Sequence, residues 1–492
     1  MITEQNFIRY IKKTFADRQM IVVAQKEPYI HTTTEGSIKE IKVEKAIGGG
    51  VNTLIDSILR KTGGTMFAVS SGDADHLMVD KEGKISVPPW NPSYTLKRIF
   101  LSDAEQKGFY YGVSNQTIWP LFHAVFIKPK FHASWWKQYV AVNRKFADAI
   151  LEEVKNKKAF VWIHDYQFSL LAKMLKKQRP DLQIGVFWHI PWPTYEIFRI
   201  NPWRKEMLEG LLASDFIGFH RGYHVENFLK CVRSDLEVIV DYEPRSAVYK
   251  NHTTRLASLP AGVDFDRISD KLKTSKKMNP TVVKKKLGIP WKNEKLVISA
   301  ERVDYTKGIL ERLKIIDRFL DKYKQFRKNI IFVSIGVPSR TRISEYKSYN
   351  SQINHLADRI NSKHGTKNWK PVYLVKHGVS REDLFSYYRL ADACLVTALD
   401  DGMNLVAKEY LICIDSKKGV LLLSKFTGAA KDLKESMLIN PFDTEGSSNA
   451  LYEALTMKPE MKKARNDQMK TILQENNVYK WAIDFLKLAL NE

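Results

Sequence analysis

The sequence predicts an α/β protein built of two doubly wound parallel-sheet halves. Short β-rich runs ending in Gly, Pro or a polar cluster alternate with helical stretches, the pattern of parallel sheets covered by helices. That alternation occurs twice along the chain, and 492 residues are too many for one ordinary core, so two or three domains are the starting expectation.

In the first half the spacing predicts strands over 20–25 (MIVVAQ), 65–71 (TMFAVSS), 159–165 (AFVWIHD), 183–191 (QIGVFWHIP), 215–220 (DFIGFH) and 236–242 (LEVIVDY). In the second half it predicts strands over 295–304 (KLVISAERVD), 329–338 (NIIFVSIGVP), 371–377 (PVYLVKH), 393–399 (ACLVTAL), 419–426 (GVLLLSKF) and 436–441 (SMLINP). The junction falls near 250–262, which gives domains of 1–255 and 256–475. The last segment, 476–492, contains VYKWAIDFLKLAL with apolar residues at helical spacing and is expected to pack back onto the first half. No repeat of fixed period is present. Ligands of such halves are expected in a crevice outside the carboxyl ends of the strands.

Composition narrows the class. Hydrophobic content of 44% and aromatic content of 11% suit a globular chain rather than a disordered one. No run approaches the roughly 20 apolar residues of a membrane span, and the N-terminus, MITEQNFIRYIKKTFADRQM, reads as an amphipathic helix rather than a signal peptide, so a cytoplasmic protein without a membrane partner is expected. Cys231, Cys394 and Cys413 lie far apart in apolar surroundings and read as reduced core thiols. The net charge of +23 suits a nucleic-acid binder or an enzyme of phosphorylated substrates. Its lysines are dense only in 271–295 and no basic stripe is interleaved with aromatics, which favours a solvated surface over a nucleic-acid interface.

Four clusters sit just after predicted strands or open predicted helices. IGGGVNTL (47–54) places glycines ahead of a helix, where bare amides and the helix N-terminus can approach an anion; a plain tight turn explains it equally well. WIHDYQ (162–167) and FWHIPWPT (187–194) bring His164, Asp165 and His189 among aromatics, a set that suits a sugar, although a core histidine at a strand end is common. No third ligand stands at metal spacing, so no metal site is assigned. SAERVDYTKG (299–308) sets Arg302 and Lys307 across a strand-to-helix loop, where a planar fork and a point charge can converge on a diphosphate, or stand as solvated cations. Arg340 and Arg342 in VPSRTR form a second such pair.

In DDGMNLVAKEY (400–410), Asp400 or Asp401 is expected as an N-cap, with the amides of Asn404, Leu405 and Val406 in the positive first turn. Glu409 follows Asp401 by eight residues, so both are expected to look toward one side of a helix. By itself this stretch reads as a capped core helix.

Together, YYGVSNQTIWPLFH (110–123), VWIHDYQ (161–167), HIPWPTYEIF (189–198), ERVDYTKG (301–308), Ser339–Arg340, DGMNLVAKEY (401–410) and LLLSKFTGAAKDL (421–433) resemble the retaining glycosyltransferases of the trehalose-6-phosphate synthase family. The resemblance implies a GT-B fold, two Rossmann-like domains facing across a cleft. It also implies a nucleoside-diphosphate glucose donor, UDP-glucose above all, and glucose 6-phosphate as acceptor. No cofactor and no metal are implied, a homo-oligomer is compatible with it, and a separate phosphatase is expected to act on the product.

Carried over by motif, Arg302 and Lys307 hold the diphosphate and Glu409 accepts from the ribose hydroxyls. Amides of Leu405 and Val406, with Asn404 beside them, complete the phosphate site; Asp401 and His189 grip the glucose; Gly49 or Gly50 brings loop amides near the diphosphate. Asp165, Tyr110, Trp119, Arg340 and Lys26 face the acceptor. Arg302, Lys307, Asp165 and His189 form the implied catalytic set. The family's route to retention is front-face attack assisted by the leaving phosphate oxygen, so neither Asp165 nor Asp401 is expected to act as a covalent nucleophile.

Three positions depart from the family pattern. Lys26 in AQKEPY stands where relatives have Arg in an SNR motif, and a lysine keeps the charge but loses the bidentate fork. Val69 replaces a tryptophan and Asp400 an arginine. The KEPY segment and 201–220 also resemble glucosylglycerol-phosphate synthases, which use glycerol 3-phosphate and supply the alternative reading. A catalytically idle sugar-phosphate-binding regulator is the reading from a different class.

Overall fold

The computed structural model describes residues 2–34, 40–45, 50–275, 280–290 and 292–492. The chain divides into two compact units, one made of Ile2–Ala261 with Val478–Glu492, the other of Gly262–Asn477.

The strands are β1 (Gln19–Lys26), β2 (Tyr29–Thr33), β3 (Ile41–Lys45), β4 (Thr65–Val69), β5 (Lys84–Val87), β6 (Tyr94–Ile99), β7 (Ala159–His164), β8 (Gln183–Trp188), β9 (Phe216–Phe219), β10 (Ile239–Asp241), β11 (Ser246–Tyr249) and β12 (His252–Ser258) in the first unit. The second contains β13 (Lys295–Val303), β14 (Ile330–Pro338), β15 (Val372–Val375), β16 (Ala393–Val396), β17 (Val420–Ser424) and β18 (Met437–Ile439).

The first unit's main sheet runs β10-β11-β12-β9-β8-β7-β1-β4-β6-β5. From β12 to β6 every pairing is parallel, and the edges are closed by antiparallel β10, β11 and β5. The segment 236–242, expected as one more core strand, contributes only β10 at the exposed antiparallel edge. β6 was not anticipated because Lys97 and Arg98 interrupt its apolar run, yet both are buried. The second sheet, β15-β14-β13-β16-β17-β18, is parallel throughout. Relative to their own first strands, both sheets reverse direction of winding next to that strand, between β1 and β7 and between β13 and β16. At such a switch point the flanking loops splay apart and leave a crevice at the strands' carboxyl ends.

The C-terminal helix Val478–Leu490 packs on β8 and β9. It can approach the sheet because Gly185 has no side chain: a Cβ there would stand 2.9 Å from the Phe485 ring. Burying an aromatic such as Phe485 contributes roughly 2–3 kcal/mol, and Trp481 of the same helix is buried beside Phe187 and Trp162. Cys231, Cys394 and Cys413 are free and buried. Among the described residues no helix is long and apolar enough to cross a membrane.

Candidate functional site

In the second unit, Arg302 lies near the carboxyl end of β13, and the chain turns at once into a short helical turn, Tyr305–Lys307. Asp304 caps that turn: its carboxylate accepts from the Thr306 amide (3.1 Å) and hydroxyl (3.0 Å). Gly308 then adopts φ +61°, where a Cβ would meet the Thr397 carbonyl oxygen at 2.1 Å, so the start of helix Ile309–Lys322 is pressed against the end of β16. Proximity of the two strand ends follows from their adjacency in the sheet, and it brings Lys307 Nζ to 2.6 Å from Asp401 Oδ2.

Asp304 is fully buried, which opposes its ionisation, but the charges of Arg340, Arg302 and Lys307 prevail and hold its carboxyl below the usual range. Arg340 Nη1 donates to Asp304 Oδ2 at 2.9 Å, and the Tyr346 hydroxyl donates to the same oxygen at 3.2 Å. Arg340, expected to face an acceptor, is also a buried counter-ion of Asp304, held in left-handed backbone at φ +53°. Arg302, Lys307, Arg340 and Asp304 form one cation-rich cluster at the switch point.

The capping expectation for 400–410 is corrected. Asn404, at φ +91°, is the N-cap of helix Leu405–Cys413, and its side-chain oxygen accepts from the Ala407 amide at 3.0 Å. Asp401 stands outside the helix, in a parallel bridge with Thr427, so it does not share a helical face with Glu409. Asp401 Oδ2 accepts from both Lys307 Nζ and the Asn404 side-chain Nδ2, the latter at 3.1 Å. Leu405 and Val406 occupy the first helical turn, whose amides have no acceptor within the helix and whose positive end favours an anion. Glu409 is ion-paired to Arg381, the first residue of helix Arg381–Leu390. No sequence signal pointed to Arg381, which precedes Glu409 by 28 positions and meets it only through tertiary packing. The partners of Arg340, Asp304 and Tyr346, were missed likewise, although an Asp directly after a strand and before a turn is a legible cap.

In the first unit, the β7 and β8 ends bring His164 Nδ1 to 3.0 Å from His189 Nε2. Burial lowers His164 far below the usual imidazole range, and its histidine neighbour adds to that; burial alone drops His189 to about 3. Both rings are neutral at physiological pH and share one N–H between them. Asp165 lies at φ +76°, ψ 176°, a region non-glycine residues rarely enter, and its Oδ1 accepts from the His189 amide at 3.1 Å. The strained turn is thereby tied to the neighbouring strand end.

Tyr110 is in the π-helix Gln106–Ile118, and Trp119 is buried just after it, with its ring 5.9 Å from Tyr166. Asn115 links them, donating to the Tyr110 carbonyl at 2.7 Å and accepting from the Tyr166 hydroxyl at 3.3 Å. Lys26 ends β1 across the switch point from β7. Gly50 is the first residue of helix Gly50–Thr62, whereas Gly49 lies outside the described residues. The structure thus gathers Arg302, Lys307, Asp401 and Asn404 in one unit and His164, Asp165 and His189 in the other.

A profile of glycosyltransferase family 20 matches residues 18–491. The chain belongs to glycosyltransferase family 20. It is 34% identical over 483 residues to a trehalose-6-phosphate synthase of Mycobacterium bovis, covering 96% of this chain and 95% of that protein. It is also 34% identical over 395 residues to an alpha,alpha-trehalose-phosphate synthase [UDP-forming] of Dictyostelium discoideum, covering 80% of this chain and about half, 53%, of that longer protein. A crystal structure of a UDP-forming alpha,alpha-trehalose-phosphate synthase from Burkholderia xenovorans in complex with glucose-6-phosphate superposes with a TM-score of 0.84 at 28% identity, covering 96% of this chain and 100% of that one. As a family 20 glycosyltransferase of GT-B fold, the chain is a hexosyltransferase.

Proposed function

We propose that this family 20 chain transfers glucose, with retention, from UDP-glucose to glucose 6-phosphate, giving α,α-trehalose 6-phosphate and UDP. The observation that carries the reading is the cluster at the β13–β16 switch point, where Lys307 and Asp401 meet beside Arg302 at the start of helix Leu405–Cys413. The names of the Mycobacterium and Dictyostelium relatives and the glucose-6-phosphate bound to the Burkholderia enzyme support the same product, leaving group and acceptor.

In the step, the acceptor hydroxyl oxygen bonds to the anomeric carbon while the bond from that carbon to the β-phosphate oxygen breaks. The hydroxyl proton passes to the departing phosphate oxygen on the same face. Negative charge grows on the diphosphate, so the useful groups are cations and amides already in place: Arg302 as a fork, Lys307 as a point charge, and the first-turn amides of Leu405 and Val406. With these charges supplied by the chain, the reaction needs no divalent ion, and EDTA should leave the rate unchanged. Asp401 and a neutral His189 accept from or donate to glucose hydroxyls, and Glu409 accepts from the ribose. Tyr110, Trp119, Asp165, Arg340 and Lys26 serve the acceptor.

Purified protein incubated with UDP-glucose and glucose 6-phosphate should release UDP and yield a phosphodisaccharide of the corresponding mass. Absence of both products sinks the reading. Transfer to glycerol 3-phosphate in preference to glucose 6-phosphate would instead establish the glucosylglycerol-phosphate alternative that the KEPY segment and residues 201–220 raised.

A further inference from the structure

Next to Lys26, at the end of β1, Glu27 is 1% exposed, and no step of the reaction uses it. Its carboxyl accepts from the Ser71 amide at 2.7 Å and from Arg98 Nε at 2.7 Å. Arg98, also fully buried, bonds Asp75 Oδ1 at 2.9 Å, and Asp75 in turn accepts from the amides of Gly72 (2.7 Å) and His31 (2.8 Å). His31 Nδ1 stands 2.8 Å from Arg98 Nη2 and therefore serves as an acceptor, which makes the ring neutral. On the helix side, Asn52 donates to the Glu27 carbonyl at 3.2 Å.

The charge count does not close if both acids are ionised. Glu27, Asp75 and Arg98 have side chains with no exposure, so two carboxylates would face one guanidinium away from water. A second buried negative charge without its own partner is costly, and a proton shared between the two carboxyls removes it. The Ser71 amide reaches both carboxyls, Glu27 Oε1 at 2.7 Å and Asp75 Oδ2 at 3.1 Å, so the two acids lie side by side. Burial first, and then the neighbouring Asp75 carboxyl, raise Glu27 to about 8. Asp75 is held below its usual range against burial, by Glu27, the amides and Arg98.

We propose that Glu27 is a positioning residue for the phosphorylated acceptor: as the proton-bearing partner of Asp75, it locks the ends of β1 and β4, and so the backbone that carries Lys26 and Ser71, in the geometry that binds the acceptor. The proposal rests on the acceptor reading above. Loss of the Glu27 proton places two carboxylates side by side, and the Ser71 and Gly72 amides, which these acids hold, lose their fixed placement even though Asp73 and Ala74 still tie the turn 70–75 to β2. The sugar phosphate is already a dianion above pH 7.5, with its second pKa near ~6.

The experiment is the pH dependence of steady-state kinetics between pH 6.5 and 9.5 for the unmodified enzyme and Glu27→Gln, whose amide keeps the shape and a donor for Asp75. For the unmodified enzyme the KM for glucose 6-phosphate should climb roughly 30-fold between pH 7.5 and 9.5, following a single ionisation, while kcat and the KM for UDP-glucose stay level. In Glu27→Gln the acceptor KM should be level as well. A level acceptor KM in the unmodified enzyme, or the same climb in Glu27→Gln, overturns the proposal. If Glu27→Gln does not fold, infrared spectroscopy of the unmodified protein decides: a buried protonated-carboxyl band at pH 7 that vanishes by pH 9.5 is expected, and its absence at pH 7 overturns the proposal. No turnover at any pH overturns the acceptor reading and this proposal with it, whereas turnover with a level acceptor KM overturns this proposal alone.

Discussion

Lys307 Nζ donates to Asp401 Oδ2 across 2.6 Å, joining the loop after β13 to the loop after β16. The pair is largely shielded, with side chains 15% and 17% exposed, so the contact is stronger than a surface ion pair. In the proposed reaction an arriving diphosphate must compete with the carboxylate for the lysine. Lys307→Ala should lower kcat/KM by about 10²–10³, the range for removing one preorganised donor from a developing oxyanion. Asp401→Asn should separate binding from transfer. Calorimetry should show UDP bound at least as tightly, because the lysine is released to the phosphates, while turnover falls by about tenfold or more for want of a sugar-hydroxyl acceptor. Weaker UDP binding in Asp401→Asn contradicts this account.

Gly308→Ala tests the approach of helix Ile309–Lys322 to the end of β16. The backbone there is left-handed, which costs an alanine of order 1 kcal/mol, and the new methyl would collide with the Thr397 carbonyl oxygen at 2.1 Å, adding to that. A total loss above about 2 kcal/mol in denaturant unfolding is expected, with donor-site function lost in the fraction that folds. An unfolding midpoint equal to that of the unmodified protein argues against the contact.

The second sheet was fully legible in the sequence: all six expected strands occur, because each is an apolar run closed by turn residues. The first was legible only at its centre. β6 was hidden because Arg98 reads as a surface residue until Glu27 and Asp75, distant in sequence, are brought around it. Edge strands β5 and β11 are too short to show a period, and β10 is only the three-residue remainder of the strand expected over 236–242. At the site, residue types were readable and their partnerships were not. Asp401 was placed in a helix that Asn404 in fact caps, since an Asp-Asp-Gly run and an Asn look equally suitable until φ is known. Arg340 offered a cation without revealing that Asp304 had already engaged it.

The His164–His189 pair should give the protein an acid-labile first unit. Both imidazoles have pKa values lowered by burial, so the unfolded chain binds more protons than the folded one once the pH falls through the ordinary imidazole range near ~6.5. Stability from these groups is complete above that value and is lost as pH falls toward about 3, where folded His189 itself titrates. His164→Phe removes one proton site and suits the aromatic surroundings of Trp162 and Trp481. Its thermal midpoint should decline less steeply between pH 6.5 and 5 than that of the unmodified protein. Equal slopes would show that the pair is protonated without penalty.

Arg381 offers a measure of how Glu409 meets the donor. The guanidinium holds Glu409 Oε1 while stacking over Phe385 at 5.3 Å, and the carboxylate is mostly buried at 12% exposure, so its second oxygen is presented in a fixed direction. Hydrogen bonds to a charged acceptor contribute about 1.5–3 kcal/mol. The unmodified enzyme should therefore favour UDP-glucose over its 2′-deoxyribose analogue by roughly 10–100-fold in kcat/KM. Arg381→Gln leaves the carboxylate in place but free to turn and to hydrate, and the preference should shrink to within about threefold. The KM for glucose 6-phosphate should be unchanged, since Arg381 acts only through the donor's sugar. A general packing defect would depress both donors alike and leave their ratio intact; a preserved ratio in Arg381→Gln would therefore remove Arg381 from the donor site.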